Sequence, residues 1–173
     1  PIPMITHEIG QWCVYPNYDE IKKYTGVLKP YNYQIFRESL RDHHMLDLAE
    51  EFTRASGKFH LIQKKEEFES YYRTPGMAGY HLLQLNDFPG QGTSPVGVVD
   101  VFWDPKPYVT ADEFKSMVSP CLPLLLTSSF VWTNDSIFTG EARIANFGNI
   151  LMARYMLKES SRQKIYRSVV RIH

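Results

Sequence analysis

Apolar positions along this chain change their period twice. From Pro3 to Ile9 the run carries Met4, Ile5 and Ile9 and predicts a short buried strand. A loop with Pro16 and Asn17 follows. Asn17 and Glu20 have capping-box spacing and predict a helical turn through YDEIKKY, ended by Gly26. Pro30 starts a helix, YNYQIFRESLRDH, with Ile35, Phe36 and Leu40 on one face. In the longer helical region MLDLAEEFTRASGKFHLIQKKEEFESYYRT, Leu48, Phe52, Ala55 and Phe59 recur at three- and four-residue steps. Gly57 is a candidate bend, and Pro75 with Gly76 ends the pattern. Arg37, Lys64, Lys65, Glu66 and Glu67 read as a solvated helix face.

GYHLLQLNDF is a continuous apolar run, as expected of a parallel strand covered on both faces. A turn-rich loop, PGQGTSPVGVVDVFWDPKPY, comes next; its Gly90 and Gly92 lack the GK[ST] of a phosphate cradle and serve tight turns. Thr110 and Glu113 form a second capping box before the helix ADEFKSMV, and Pro120 and Pro123 end it. Beyond Pro123, FVWTNDSIFTGEARIANFG, NILMARYMLKE and KIYRSVVRIH alternate polar and apolar positions, as antiparallel sandwich strands do.

The pattern therefore predicts α/β followed by all-β. Two strands cannot close a barrel of eight, and the long helical region calls for a larger sheet. The expected architecture is the last two βα units of a (β/α)8 TIM barrel over residues 1–122, then the start of an immunoglobulin-like β-sandwich over 123–173. The chain opens inside a strand, so the earlier barrel strands are expected upstream of Pro1. Open sheet edges would favour a homo-oligomer or a swapped dimer.

Composition narrows the partners. The 173 residues have zero formal net charge, which argues against a nucleic-acid partner. No run is apolar and long enough to span a bilayer, so no membrane partner is expected. Cys13 and Cys121 form no CxxC pattern, and the six histidines show no metal-ligand spacing, so neither a metal nor a cofactor is expected. Aromatic residues make up 14%, enough for a core and for rings that stack on sugars.

Catalytic groups of parallel barrels lie at the C-terminal ends of strands. Glu8 ends the first strand, just before Gly10, among apolar and aromatic neighbours. The competing reading is a carboxylate paired to a basic group of the barrel. His7 falls on the opposite side of the strand by alternation and reads as a packed histidine. At the second strand end, alternation from Tyr80 carries Leu82, Gln84 and Asn86 to one side, and Asp87 follows at the mouth. Turn chemistry also accounts for Asn86 and Asp87. Trp12, Tyr15 and Trp103 flank these ends, either as a sugar-stacking wall or as packing for the loops. His43 and His44 suit a helix C-terminus.

ITHEIGQWCVYP, GYHLLQLNDFPGQGTSPVGVVDVFWDPKPYVTADEFKSMVSPCLPLL and VWTNDSIFTGEARIANFG, in this order, resemble the C-terminal part of glycoside hydrolase family two. This is the group of β-galactosidase-, β-glucuronidase- and β-mannosidase-like enzymes, in the form common among gut Bacteroidetes. The resemblance runs to about Gly148. It implies that Glu8 is the nucleophile of a retaining glycosidase acting on a carbohydrate substrate, and that the two strands are the seventh and eighth of the barrel. It implies a β-sandwich from about Leu124 and a periplasmic or secreted enzyme. Where many members carry a Trp in the eighth strand, this chain has Leu82 and Leu83. The family's acid/base Glu follows the fourth strand, so the isolated chain is expected to be inactive. The alternative is a non-catalytic carbohydrate-binding or protein-interaction module using Trp12, Tyr15 and Trp103; a complete α+β domain of unrelated function is a third reading.

Overall fold

A computed structural model of the chain describes residues 2–88, 94–147 and 171–172. Two compact units part between Phe114 and Lys115, within a helix and ahead of the expected boundary at 122. The first unit is built on a parallel pair, β1 (Met4–Ile9) and β2 (Met77–Leu82), with Met4 opposite Met77 and Ile9 opposite Leu82. Between them run a 3-10 turn (Tyr18–Lys23), α1 (Tyr31–Asp42), a second 3-10 turn (Leu46–Leu48) and α2 (Ala49–Arg73). Parallel neighbours need such a crossover.

Helix ends follow the sequence signals. Pro30 is the N-cap of α1, and α2 stops at Arg73, ahead of Pro75. In α3 (Ala111–Met117), Thr110 Oγ1 accepts from the Glu113 N–H at 3.1 Å while Glu113 Oε2 accepts from the Thr110 N–H at 2.9 Å, a complete reciprocal cap. At the first turn the reciprocity fails: Asn17 caps Asp19, and Glu20 turns inward and is buried.

The helix faces differ from the expectation. Ile35, Phe36, Leu48 and Phe59 are exposed and Ala55 also faces outward. Tyr33 and Leu40 of α1 are buried, as are Thr53, Gly57, His60, Leu61, Lys64 and Phe68 of α2. The reason is what α2 packs on: a stretch of loop backbone, which requires hydrogen-bonding side chains rather than a purely apolar stripe. Gly57 does not bend the helix, which is continuous through it. It admits Tyr108, whose ring atoms would lie 2.2 Å from any Cβ at this position.

β2 is only partly covered on either face. Tyr80 stacks on Phe68 and Tyr71 of α2, with centroids 5.1 and 6.0 Å apart, so it faces the helix. The loop beyond β2 packs Val96, Val98 and Tyr108 into the core. Gly90 and Gly92 lie outside the described residues.

In the second unit, β3 (Cys121–Thr127) pairs antiparallel with β4 (Gly140–Asn146), and β5 (Arg171–Ile172) runs parallel to β4. Leu122 and Leu124 are buried while Pro123 and Leu125 face out, the period-two pattern of a half-covered strand. Pro123 does not end an element; it sits within β3, at the edge of this sheet, where a missing N–H is tolerated. The expected strand over FVWTNDSIF is instead a loop. Ser136 N–H turns back to Thr133 O and the Trp132 indole N–H donates to Ser129 O, so the chain folds on itself there. NILMARYMLKE and most of KIYRSVVRIH lie outside the described residues.

Candidate active site

The C-terminal ends of β1 and β2 open side by side onto a cleft of about 490 Å3 lined by His7, Glu8, Tyr80, His81, Leu82 and Leu83. Glu8 occupies the left-handed region at φ 56°, a conformation that costs a side chain with a Cβ on the order of 1 kcal/mol or more. The pairing register slips between Thr6 and Ile9 at the same place. Strand alternation therefore breaks at Glu8. His7, expected on the opposite side, lines the same cleft, with Nδ1 3.8 Å from Glu8 Oε1. Across the cleft, His81 meets His7 edge to face at 5.9 Å between centroids. Gln11 Nε2 donates to the Glu8 carbonyl at 2.9 Å and reaches Oε2 at 3.4 Å.

The strained backbone is held from below by α2. Lys64, wholly buried, donates from Nζ to Gly10 O at 2.8 Å, and Glu67 Oε2 accepts from Gly10 N–H at 3.0 Å. Both polar groups of one glycine, itself at φ 79°, are thus gripped by one helix. Glu67 Oε2 also accepts the Trp12 indole N–H at 2.9 Å, and His60 Nδ1 donates to Trp12 O at 2.6 Å. Tyr15 N–H donates to Ser56 Oγ and Thr53 Oγ1 donates to Pro16 O. The loop after β1 runs antiparallel along α2, met at successive helical turns by Glu67, Lys64, His60, Ser56 and Thr53.

Burial sets the charge states along this ladder. It pulls Lys64 down to about 8, opposed by the nearby Glu67 carboxylate. It pushes His60 down to about 3, so the imidazole is neutral, with its proton on Nδ1 facing Trp12 O. Lys64 and Glu67, expected on a solvated face, are therefore structural partners of the loop. The signal was present in the sequence: positions 60, 64 and 67 share one helix face with Thr53 and Gly57.

The other candidates are dispersed. Trp12 and Trp103 keep exposed rings, and Trp103 also sits at positive φ, 68°. Tyr15 is half-buried, edge-on to Phe52, with its hydroxyl 2.8 Å from that of Tyr18. Asn86 Nδ2 donates to the Asp87 carbonyl at 3.0 Å, and Gln84 is half-buried with an unpartnered Oε1. Asp87 is 2% exposed and faces inward. Its Oδ1 accepts from Lys106 Nζ at 2.7 Å and from Gly97 N–H at 2.8 Å. The structure brings Glu8 together with His7 and His81, and places Asp87 in a separate buried cluster.

That cluster also contains Glu20, which is buried without a partner on Oε2. Burial, reinforced by the Asp87 carboxylate, pushes Glu20 up to about 7 from its ordinary 4.5. The folded state then binds a proton that the unfolded state releases, so stability is full below pH 4.5 and is lost as pH rises through 7. Glu20→Gln removes this loss. Its thermal stability relative to wild type is expected to improve between pH 4.5 and pH 8, by about 2–3 kcal/mol, in paired melting curves. An unchanged difference across that range would place the buried proton elsewhere.

Among the described residues no group of three or more His, Cys, Asp or Glu side chains is placed to hold a metal ion, and no helix is long and apolar enough to cross a membrane. The chain matches no protein-family model and no curated protein.

Proposed function

We propose that this chain supplies part of the active site of a retaining glycoside hydrolase, with Glu8 as nucleophile. The observation that carries the reading is the position of Glu8. It stands at the C-terminal end of a parallel strand, in a left-handed conformation held by a buried brace, with its carboxylate in an open cleft. Among the described residues no Lys or Arg pairs with it; the nearby buried Lys64 bonds the Gly10 carbonyl instead.

The reading places β1 and β2 as neighbouring strands of a larger (β/α)8 barrel and the second unit in a β-sandwich. Exposed apolar side chains on β1, Met4 and Ile5, and on α2, Phe59 and Ile62, support further strands and helices beside this pair. Glu8 attacks the anomeric carbon as the bond to the leaving oxygen breaks. A second carboxyl group, about 5 Å away, first protonates that oxygen and then takes a proton from the water that releases the sugar. That second group is expected from a part of the barrel beyond these strands. Tyr15, packed on Phe52, is a poor member of an exposed binding platform, which favours the catalytic reading over a carbohydrate-binding module.

A fluorinated glycoside that stalls the second step tests the assignment. In the full-length protein, mass spectrometry of the digest is expected to find one sugar on the peptide containing Glu8. Labelling of a different carboxylate would remove Glu8 from this role.

A further inference from the structure

The cleft contains two imidazoles for which the mechanism above has no use. His7 and Glu8 are sequence neighbours that alternation ought to separate, and the left-handed turn at Glu8 returns them to one side. His7 is further aligned by His81, which approaches it edge to face from the adjacent strand. The other cleft group able to titrate is Tyr80, on β2, whose hydroxyl contacts that of Tyr72 at 3.3 Å. On α2, the charged groups nearest the turn, Lys64 and Glu67, are committed to Gly10. His7 is therefore the basic side chain placed to act on the Glu8 carboxylate, with Nδ1 3.8 Å from Oε1.

We propose that His7, seated against His81, is a positioning residue for the Glu8 carboxylate. The proposal rests on the glycosidase reading. In its protonated form the His7 imidazole, 3.8 Å away, favours the ionised carboxylate and draws it toward one orientation. As a sugar ester forms on Glu8, the carboxylate charge is consumed and the attraction relaxes, so His7 acts on the approach to attack and not on sugar binding.

The test uses His7→Gln and His7→Phe in the full-length protein, with the fluorinated glycoside as a separate probe. His7→Phe keeps a ring against His81 and removes the basic nitrogens, so the two variants separate packing from electrostatics. Both are expected to lose about 10- to 100-fold in kcat, with KM nearly constant and the acidic limb of kcat/KM displaced to higher pH. An acidic limb that stays in place while Glu8 is still labelled would overturn the positioning role and leave the nucleophile standing. Failure of the wild-type protein to be labelled at Glu8 would remove the glycosidase reading and this proposal with it.

Discussion

Glu8→Gln in the full-length protein is expected to lower turnover by roughly 100,000-fold while the protein stays folded. Under the proposed mechanism, the carboxamide has no negative charge to attack the anomeric carbon, and the covalent intermediate cannot form. Shape is preserved, so substrate binding should survive. Glu8→Gly carries the argument further. Glycine occupies φ 56° without the steric cost of a Cβ, so this variant is expected to gain up to about 1 kcal/mol of stability as it loses activity. The opened space also admits azide or formate. Either anion should restore part of the turnover on an activated substrate, giving a product of opposite anomeric configuration. Near-normal turnover by Glu8→Gln would end the assignment; absence of rescue in Glu8→Gly, with Glu8→Gln inactive, would point to a role for Glu8 other than attack.

The second large effect is expected at Lys106, far from the cleft in function. Its ammonium is 2.7 Å from Asp87 Oδ1, and both side chains are nearly inaccessible, 4% and 2% exposed. Lys106→Met leaves a buried carboxylate with one remaining partner, the Gly97 N–H. The expected loss is about 3–5 kcal/mol, read as a lower urea midpoint at unchanged slope. Burial already raises Asp87, and Lys106 is the main group holding it down. Without the lysine the carboxyl protonates more readily in the folded state, so the defect should shrink as pH falls. A second change, Asp87→Asn, keeps an oxygen for Gly97 and removes the charge. The double variant is expected to recover most of the loss. A single-variant cost below about 1 kcal/mol would mean the pair contributes no more than an exposed salt bridge.

Elements that local chemistry specifies were legible in the sequence. β1, the helix start at Pro30, the stop before Pro75 and the Thr110–Glu113 cap all appear where the residues indicated, whereas β2 starts two residues earlier than GYHLLQLNDF and ends at Leu82, leaving Gln84, Asn86 and Asp87 beyond the strand. Which face of each helix is buried was not legible. Apolar periodicity selected Leu48, Phe52, Ala55 and Phe59, whereas α2 buries Thr53, Gly57, His60 and Lys64. Periodicity assumes an apolar partner, but the partner here is a loop whose carbonyls and N–H groups require donors and acceptors. Glu8 could be singled out from its position at a strand end. His7 could not, because alternation assumes regular strand geometry, and a single positive φ at Glu8 reverses it. Asp87 belonged to a polar strand end by sequence, yet its main partner, Lys106, lies 19 residues away.

The ladder between α2 and the loop after β1 has a consequence for how the helix can dock. A greasy helix face tolerates sliding, since one aliphatic contact replaces another at little cost. This face does not. Shift α2 by one turn and the ammonium of Lys64 faces no carbonyl, the Gly10 amide loses Glu67, and His60 leaves Trp12. Each misplaced group would be dehydrated with nothing in return. The helix thus accepts a single axial setting, and the backbone at Glu8 inherits that setting from five side chains that lie outside the cleft.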